Sequence, residues 1–128
     1  MLEFILHHSF IVSDVFKQGI WKEVAAIDDP ELCELAEALP SLALQGKATS
    51  TIKKYSGAFC RWRKWISSKR ALSVSLPPKQ VHLALYLSFL ATRCKTSAPL
   101  LEAISALSWI NQLAMVEDTT THPLVVQV

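Results

Sequence analysis

The sequence predicts an all-α protein built as a compact four-helix bundle, and three observations carry that expectation. Only three of the 128 residues are glycine, too few for the frequent tight turns of a β-rich chain. The apolar residues, 51% of the chain, are dominated by Leu, Ala and Ile, which favour helices over sheets. Apolar positions recur at helical spacing between short polar connectors, and no alternating strand pattern of any strength occurs. A chain of this length suits a single core-forming domain.

Taken in order, residues 1–28 form an irregular N-terminal extension. Its apolar residues Phe10, Ile11, Val15, Ile20, Trp21 and Val24 allow a loose helix broken near Gly19. Asp29-Pro30 then opens a helix through "ELCELAEAL": Asp caps it, Pro takes the first position, acids fill the first turn and Pro40 ends it. Leu32, Leu35, Ala36 and Leu39 supply its one apolar face. "SLALQGKATS" reads as a connector with Gly46 as breaker and Thr49 or Ser50 as the next cap.

A second helix runs from about Thr51 to Ser67 or Ser68. "KRALSVSLPP" follows as a loop stopped by Pro77-Pro78. "KQVHLALYLSFLATR" is a third helix, apolar nearly all round and so expected at the centre. Ser97 caps a fourth, with Pro99 in its first turn, that runs through "LLEAISALSWINQLAMV". The chain leaves regular structure at "EDTTTHPLVVQV". The expected core domain is therefore 29–116, followed by a linker-like tail over 117–128.

Several function classes find no support in the sequence. Cys33, Cys60 and Cys94 are odd in number and widely spaced, which signals neither a disulfide framework nor a zinc site and fits a reduced, intracellular protein. The apolar runs between Lys79 and Arg93 and between Glu102 and Glu117 fall short of the roughly 20 residues of a membrane helix. The start of the chain has Glu3 where a signal peptide carries positive charge, and His7 and His8 inside its apolar stretch. Those two histidines are adjacent, a poor metal pair, and His82 and His122 stand alone. No phosphate loop, Ser-His-Asp set or paired carboxylates occur, so no metal, cofactor or small-molecule substrate is expected.

The arrangement of charge is more informative than the net +2. No Asp or Glu occurs between Glu37 and Glu102, yet that interval holds eleven of the thirteen basic residues, from Lys47 to Lys95. A solvated helical face normally mixes signs, because like charges a turn apart repel. A stretch without such pairs suits an anionic partner, of which nucleic acids and membrane surfaces are the commonest.

The charge is concentrated in "STIKKYSGAFCRWRKW". At 100° per residue, Ile52, Tyr55, Phe59, Trp62 and Ile66 share an arc of roughly 80°, with Ala58 and Trp65 beside it. Lys53, Lys54, Arg61 and Lys64 occupy an arc of roughly 100° on the opposite side, and Arg63 sits near the apolar edge. The aromatics are therefore mostly core residues, with Trp65 placed to brace an arginine stem or touch a ligand. With Ser50 as cap, Lys53 falls at the third helical position, where a capping box has Glu or Gln. Two lysines there oppose the helix dipole and fit a phosphate approaching the free N–H groups.

"STIKKY" followed by Phe59, Trp62 and Trp65, then "LPPKQVHLALYLSFLA", "AISALSWINQLA" and "THPLV", resembles the N-terminal core-binding domain of the tyrosine recombinases, or phage integrases. The resemblance covers about Glu31 to Val128. It implies a SAM-like four-helix bundle that grips one side of double-stranded DNA through its second and fourth helices, with other recombinase-like chains as further partners. Carried over, the contacts fall on Ser50, Lys53, Lys54, Arg61 and Lys64, and on Ser108, Asn111 and Gln112 of the fourth helix. The fourth helix departs from the pattern in carrying Glu102 and no basic residue at its start.

The family's catalytic domain supplies Arg, Lys, His and a Tyr nucleophile, and none of these motifs follows "HPLVVQV". Tyr55 and Tyr86 lie on or near apolar helix faces without an arginine pocket, so no strand cleavage by this chain is expected. Two readings stay open: a DNA-binding module, acting in the nucleus if the source is eukaryotic, and a helical protein-interaction module with a basic surface.

Overall fold

The computed structural model describes residues 14–70, 72 and 76–128. It is all-helical, with no strand among the described residues. Helices α1 (Ile20–Ala25), α2 (Pro30–Leu44), α3 (Thr49–Ser67), α4 (Gln80–Arg93) and α5 (Ala98–Ala114) are followed by a 3-10 turn over Thr119–Thr121 and a short α6 (Pro123–Val126). The four long helices are the four predicted ones, packed as a compact bundle.

α2 starts as expected: Pro30 holds the first position and the Asp29 carboxylate accepts the Leu32 N–H at 3.1 Å. It does not stop at Pro40 but continues to Leu44. An interior proline costs about 3 kcal/mol by removing one hydrogen bond and crowding the preceding turn. Continuation carries Leu44 into the core at 1% exposure, worth about 1.5 to 3 kcal/mol, and keeps the last turn's backbone bonded. The leucines of its apolar face do not enter the core. Ala36 and Leu44 are buried, whereas Leu32, Leu35 and Leu39 are exposed.

α3 begins two residues earlier than the hydroxyls at 49 and 50 suggest. Ala48 is the N-cap and offers no side-chain bond, and the Ile52 N–H bonds to its carbonyl at 3.0 Å. Ile52 is buried at the head of the core face, so packing rather than capping chemistry sets this end. The core arc holds at Ile52, Phe59, Trp62 and Ile66, which are buried together with the adjacent Ala58, while Tyr55 is only half-buried.

The centre of the bundle is α5 and not α4. Ala103, Ala106, Leu107, Trp109, Ile110, Leu113 and Ala114 are buried along α5, while Val81 and Leu85 of α4 face solvent. α4 is apolar beyond the one side it packs, Leu83, Ala84, Tyr86 and Leu87. Ser97 does precede α5, but its side chain makes no capping bond. Among the described helices α3 pairs most extensively with α5, antiparallel, since Tyr55 meets Trp109 and, two turns on, Arg61 meets Glu102.

The described residues of both segments set apart as peripheral contribute to the core. Val15, Phe16 and Trp21 are buried, and the Trp21 Nε1–H donates to the Leu113 carbonyl at 2.8 Å. That carbonyl is one of the unsatisfied acceptors at the end of α5. The helix break expected near Gly19 coincides with that residue's φ of 58°. Phe10, Ile11, His7 and His8 lie outside the described residues. At the other end Val125 is 2% exposed, and the Thr119 hydroxyl donates to the Pro78 carbonyl at 2.7 Å. The tail is ordered by local capping that composition did not reveal: Asp118 accepts the Thr120 N–H, and His122 Nδ1 accepts the Leu124 N–H ahead of Pro123.

Candidate nucleic-acid interface

The basic face of α3 exists as the helical wheel predicts. Ser50, Lys53, Lys54, Arg61 and Lys64 are all exposed, on the side of the helix away from its buried aromatics. Gly57 lies in the middle of the same face, a position the sequence reading passed over. A glycine inside a helix costs roughly 0.5 to 1 kcal/mol relative to alanine, and it leaves the backbone approachable between the cations. The only atom a Cβ there would meet is the Arg61 Nη1, at 3.4 Å.

The lysines are not at the helix start. Because α3 begins at Thr49, Lys53 and Lys54 stand at its fifth and sixth positions, so the expected opposition between two first-turn lysines and the helix dipole does not arise. The free N–H groups belong to Thr49, Ser50 and Thr51, one turn ahead of the lysines.

Tertiary packing also supplies acids that the local sequence lacks. Arg61 pairs with Glu102 of α5 at 3.2 Å, with the arginine side chain 63% exposed. Arg63, at the apolar edge, is bound by Asp14 at 2.6 Å, the carboxylate being nearly buried. Lys53, Lys54 and Lys64 therefore form the part of the face with no ion pair among the described residues.

On α5 the predicted contacts separate. Asn111 is fully buried, and its amide donates to Asp118 Oδ1 at 3.3 Å, so it does not belong to the surface. The Ser108 hydroxyl donates to Asp118 Oδ2 at 2.7 Å and is half-buried. Gln112 is exposed and borders two shallow clefts of about 250 and 300 Å³ with Lys47 and Trp109. Lys47 is thus a basic residue beside the α5 polar positions, which its place in a connector concealed. Burial tends to raise the Asp118 pKa, but the bonds from Ser108, Thr120 and Asn111 outweigh it and hold the carboxyl below its ordinary value.

Two titratable side chains near the basic face are desolvated. Burial pushes the Cys60 thiol up despite Lys64, Arg63 and Arg61 around it, which keeps it protonated. Burial likewise raises the Tyr86 phenol, which is 4% exposed. Trp65 is half-buried and packs on Tyr86 and Phe89, and the cation beside its ring is Lys69, whose Nζ lies 5.1 Å from the ring centre. No group of three or more His, Cys, Asp or Glu is placed to hold a metal among the described residues. No helix among them is long and apolar enough to cross a membrane.

Compared with known proteins, the chain matches no family model, no curated protein and no solved structure.

Proposed function

We propose that this chain is a DNA-binding module, of the kind that tyrosine recombinases carry as a core-binding domain, gripping duplex DNA through the basic face of α3. The observation that supports it is one helix face on which Lys53, Lys54, Arg61 and Lys64 are exposed around Gly57, within a 64-residue interval free of acids. Lysines act as point charges suited to phosphates, which fix a protein's register on the duplex. The major groove, about 12 Å wide, admits one helix. Glycine at the centre of the face lets the helix backbone approach the DNA. Gln112 is the exposed α5 amide available to a base edge or phosphate. The chain alone cleaves no strand in this reading, and it acts where DNA is, in the nucleus if the source is eukaryotic, alongside other recombinase-like chains.

Counterion release makes the test direct. Affinity for a duplex falls steeply with salt, with a logarithmic slope near 0.9 per neutralised phosphate. Changing Lys53, Lys54, Arg61 and Lys64 together to Gln removes binding and leaves helical circular dichroism and melting nearly intact. No duplex affinity at micromolar protein in low salt, or full binding by the quadruple variant, sinks the proposal. The rival reading, a protein-interaction module whose basic surface meets an acidic protein, predicts no salt-dependent duplex binding.

A further inference from the structure

α2 presents an apolar face that no element among the described residues covers. Leu32, Leu35, Leu39 and Leu42 are 52, 62, 40 and 55% exposed, while Ala36 and Leu44 of the same helix are buried. Steps of three, four and three residues place these leucines in one stripe at the 3.5-residue period used by knobs-into-holes pairing. Ala38 and Ala43 flank the stripe, and side chains that small let a second helix come close. Contiguous exposed leucines of this kind mark interaction sites on soluble proteins.

We infer that the stripe is a self-association surface, on which two copies of the chain pair α2 against α2, antiparallel, about a twofold axis at the level of Glu37. Two features select a second copy as the occupant. A three-four-three leucine stripe is complementary to itself: Leu32 of one copy meets Leu42 of the other, and Leu35 meets Leu39, an isologous contact. Charge then fixes the direction. Asp28, Asp29, Glu31, Glu34 and Glu37 all lie before or within the first half of α2, whereas its second half has no acid and is followed by Lys47. A parallel pair stacks acids on acids. The antiparallel pair brings each Lys47 beside the other copy's Asp28 and opposes the two helix dipoles. Glu37 sits on the far side of the helix from the stripe, lining the cleft with Trp21 and Val24, so the two Glu37 carboxylates do not meet at the axis.

The stripe is about 15 Å long, shorter than a standard-sized interface of about 1,600 Å² requires, so association belongs in the micromolar range. The inference is independent of DNA binding and is tested without DNA. Sedimentation equilibrium of the whole chain, from a few to several hundred micromolar, is expected to show a monomer–dimer equilibrium. Leu35→Glu, at an exposed position, abolishes the dimer with unchanged circular dichroism and melting. Asp28→Lys and Lys47→Asp each weaken association at least threefold, and the double exchange restores it. A monomer at every concentration, a dimer indifferent to Leu35→Glu, or a failure of the double exchange to restore affinity overturns the inference. So does a stripe that leaves this chain monomeric and instead binds a different protein.

Discussion

Met115 closes α5 in the left-handed region, at φ 59°, with the Val116 N–H bonded to the Asn111 carbonyl. Glycine usually takes such a closing position, because a side chain there costs roughly 1 to 2 kcal/mol. The Met115 side chain is 63% exposed and loses little packing if removed. Met115→Gly is therefore expected to raise stability by about 0.5 to 1 kcal/mol, read as a higher melting temperature. Asp118 carries the opposite weight. Removing its carboxylate in Asp118→Ala leaves the fully buried Asn111 amide and the Ser108 and Thr120 hydroxyls without their acceptor, at a cost of about 1 to 3 kcal/mol. Its folded pKa lies below the ordinary 3.8, so the stabilisation is complete above that value and is lost as pH falls through the folded value. An acid titration of stability should accordingly flatten below about pH 4 in Asp118→Asn; an unchanged profile refutes the assignment.

At the scale of elements, α3 and α5 face each other through a contact that bears on the proposed DNA surface. Glu102 holds Arg61 and sets a negative charge at the edge of the basic face. An exposed ion pair of this type contributes about 0 to 1 kcal/mol. Glu102→Gln is expected to leave the melting temperature almost unchanged and to tighten duplex binding about two- to fivefold, by releasing Arg61 to a phosphate. Direct titration at fixed salt checks it, and weaker binding places Arg61 outside the interface. α3 and α2 differ in how much of their packing the sequence disclosed. The 3.6-residue period separated aromatics from cations along α3 correctly, since Phe59 and Trp62 are buried and Lys53 and Lys64 exposed. On α2 the same kind of pattern found the apolar face but not its exposure. A leucine stripe records that a face is apolar, but not whether the cover belongs to this chain, and Ala36 and Leu44 made the core contact instead.

The whole molecule depends on its two ends. Trp21 reaches the end of α5 across 92 residues of sequence, and Val125 and the Asp118 cluster pin the end of the chain to α4 and α5. Deleting residues 117–128 is expected to cost about 3 to 5 kcal/mol, from one buried valine and a set of buried polar groups left without partners. Denaturant unfolding measures it, and a change below about 1 kcal/mol would show the tail to be the passive linker its composition suggests. Composition and periodicity alone determined the helical class, the four long helices and the cationic face of α3, because these follow from propensity and from spacing within one segment. Tertiary structure alone decided that α2 runs through Pro40, that α5 is central, that Asn111 is buried, and that Glu102 and Asp14 supply the acids missing around the basic helix. Each of those outcomes rests on contacts between residues far apart in the chain, whose energies no local pattern contains.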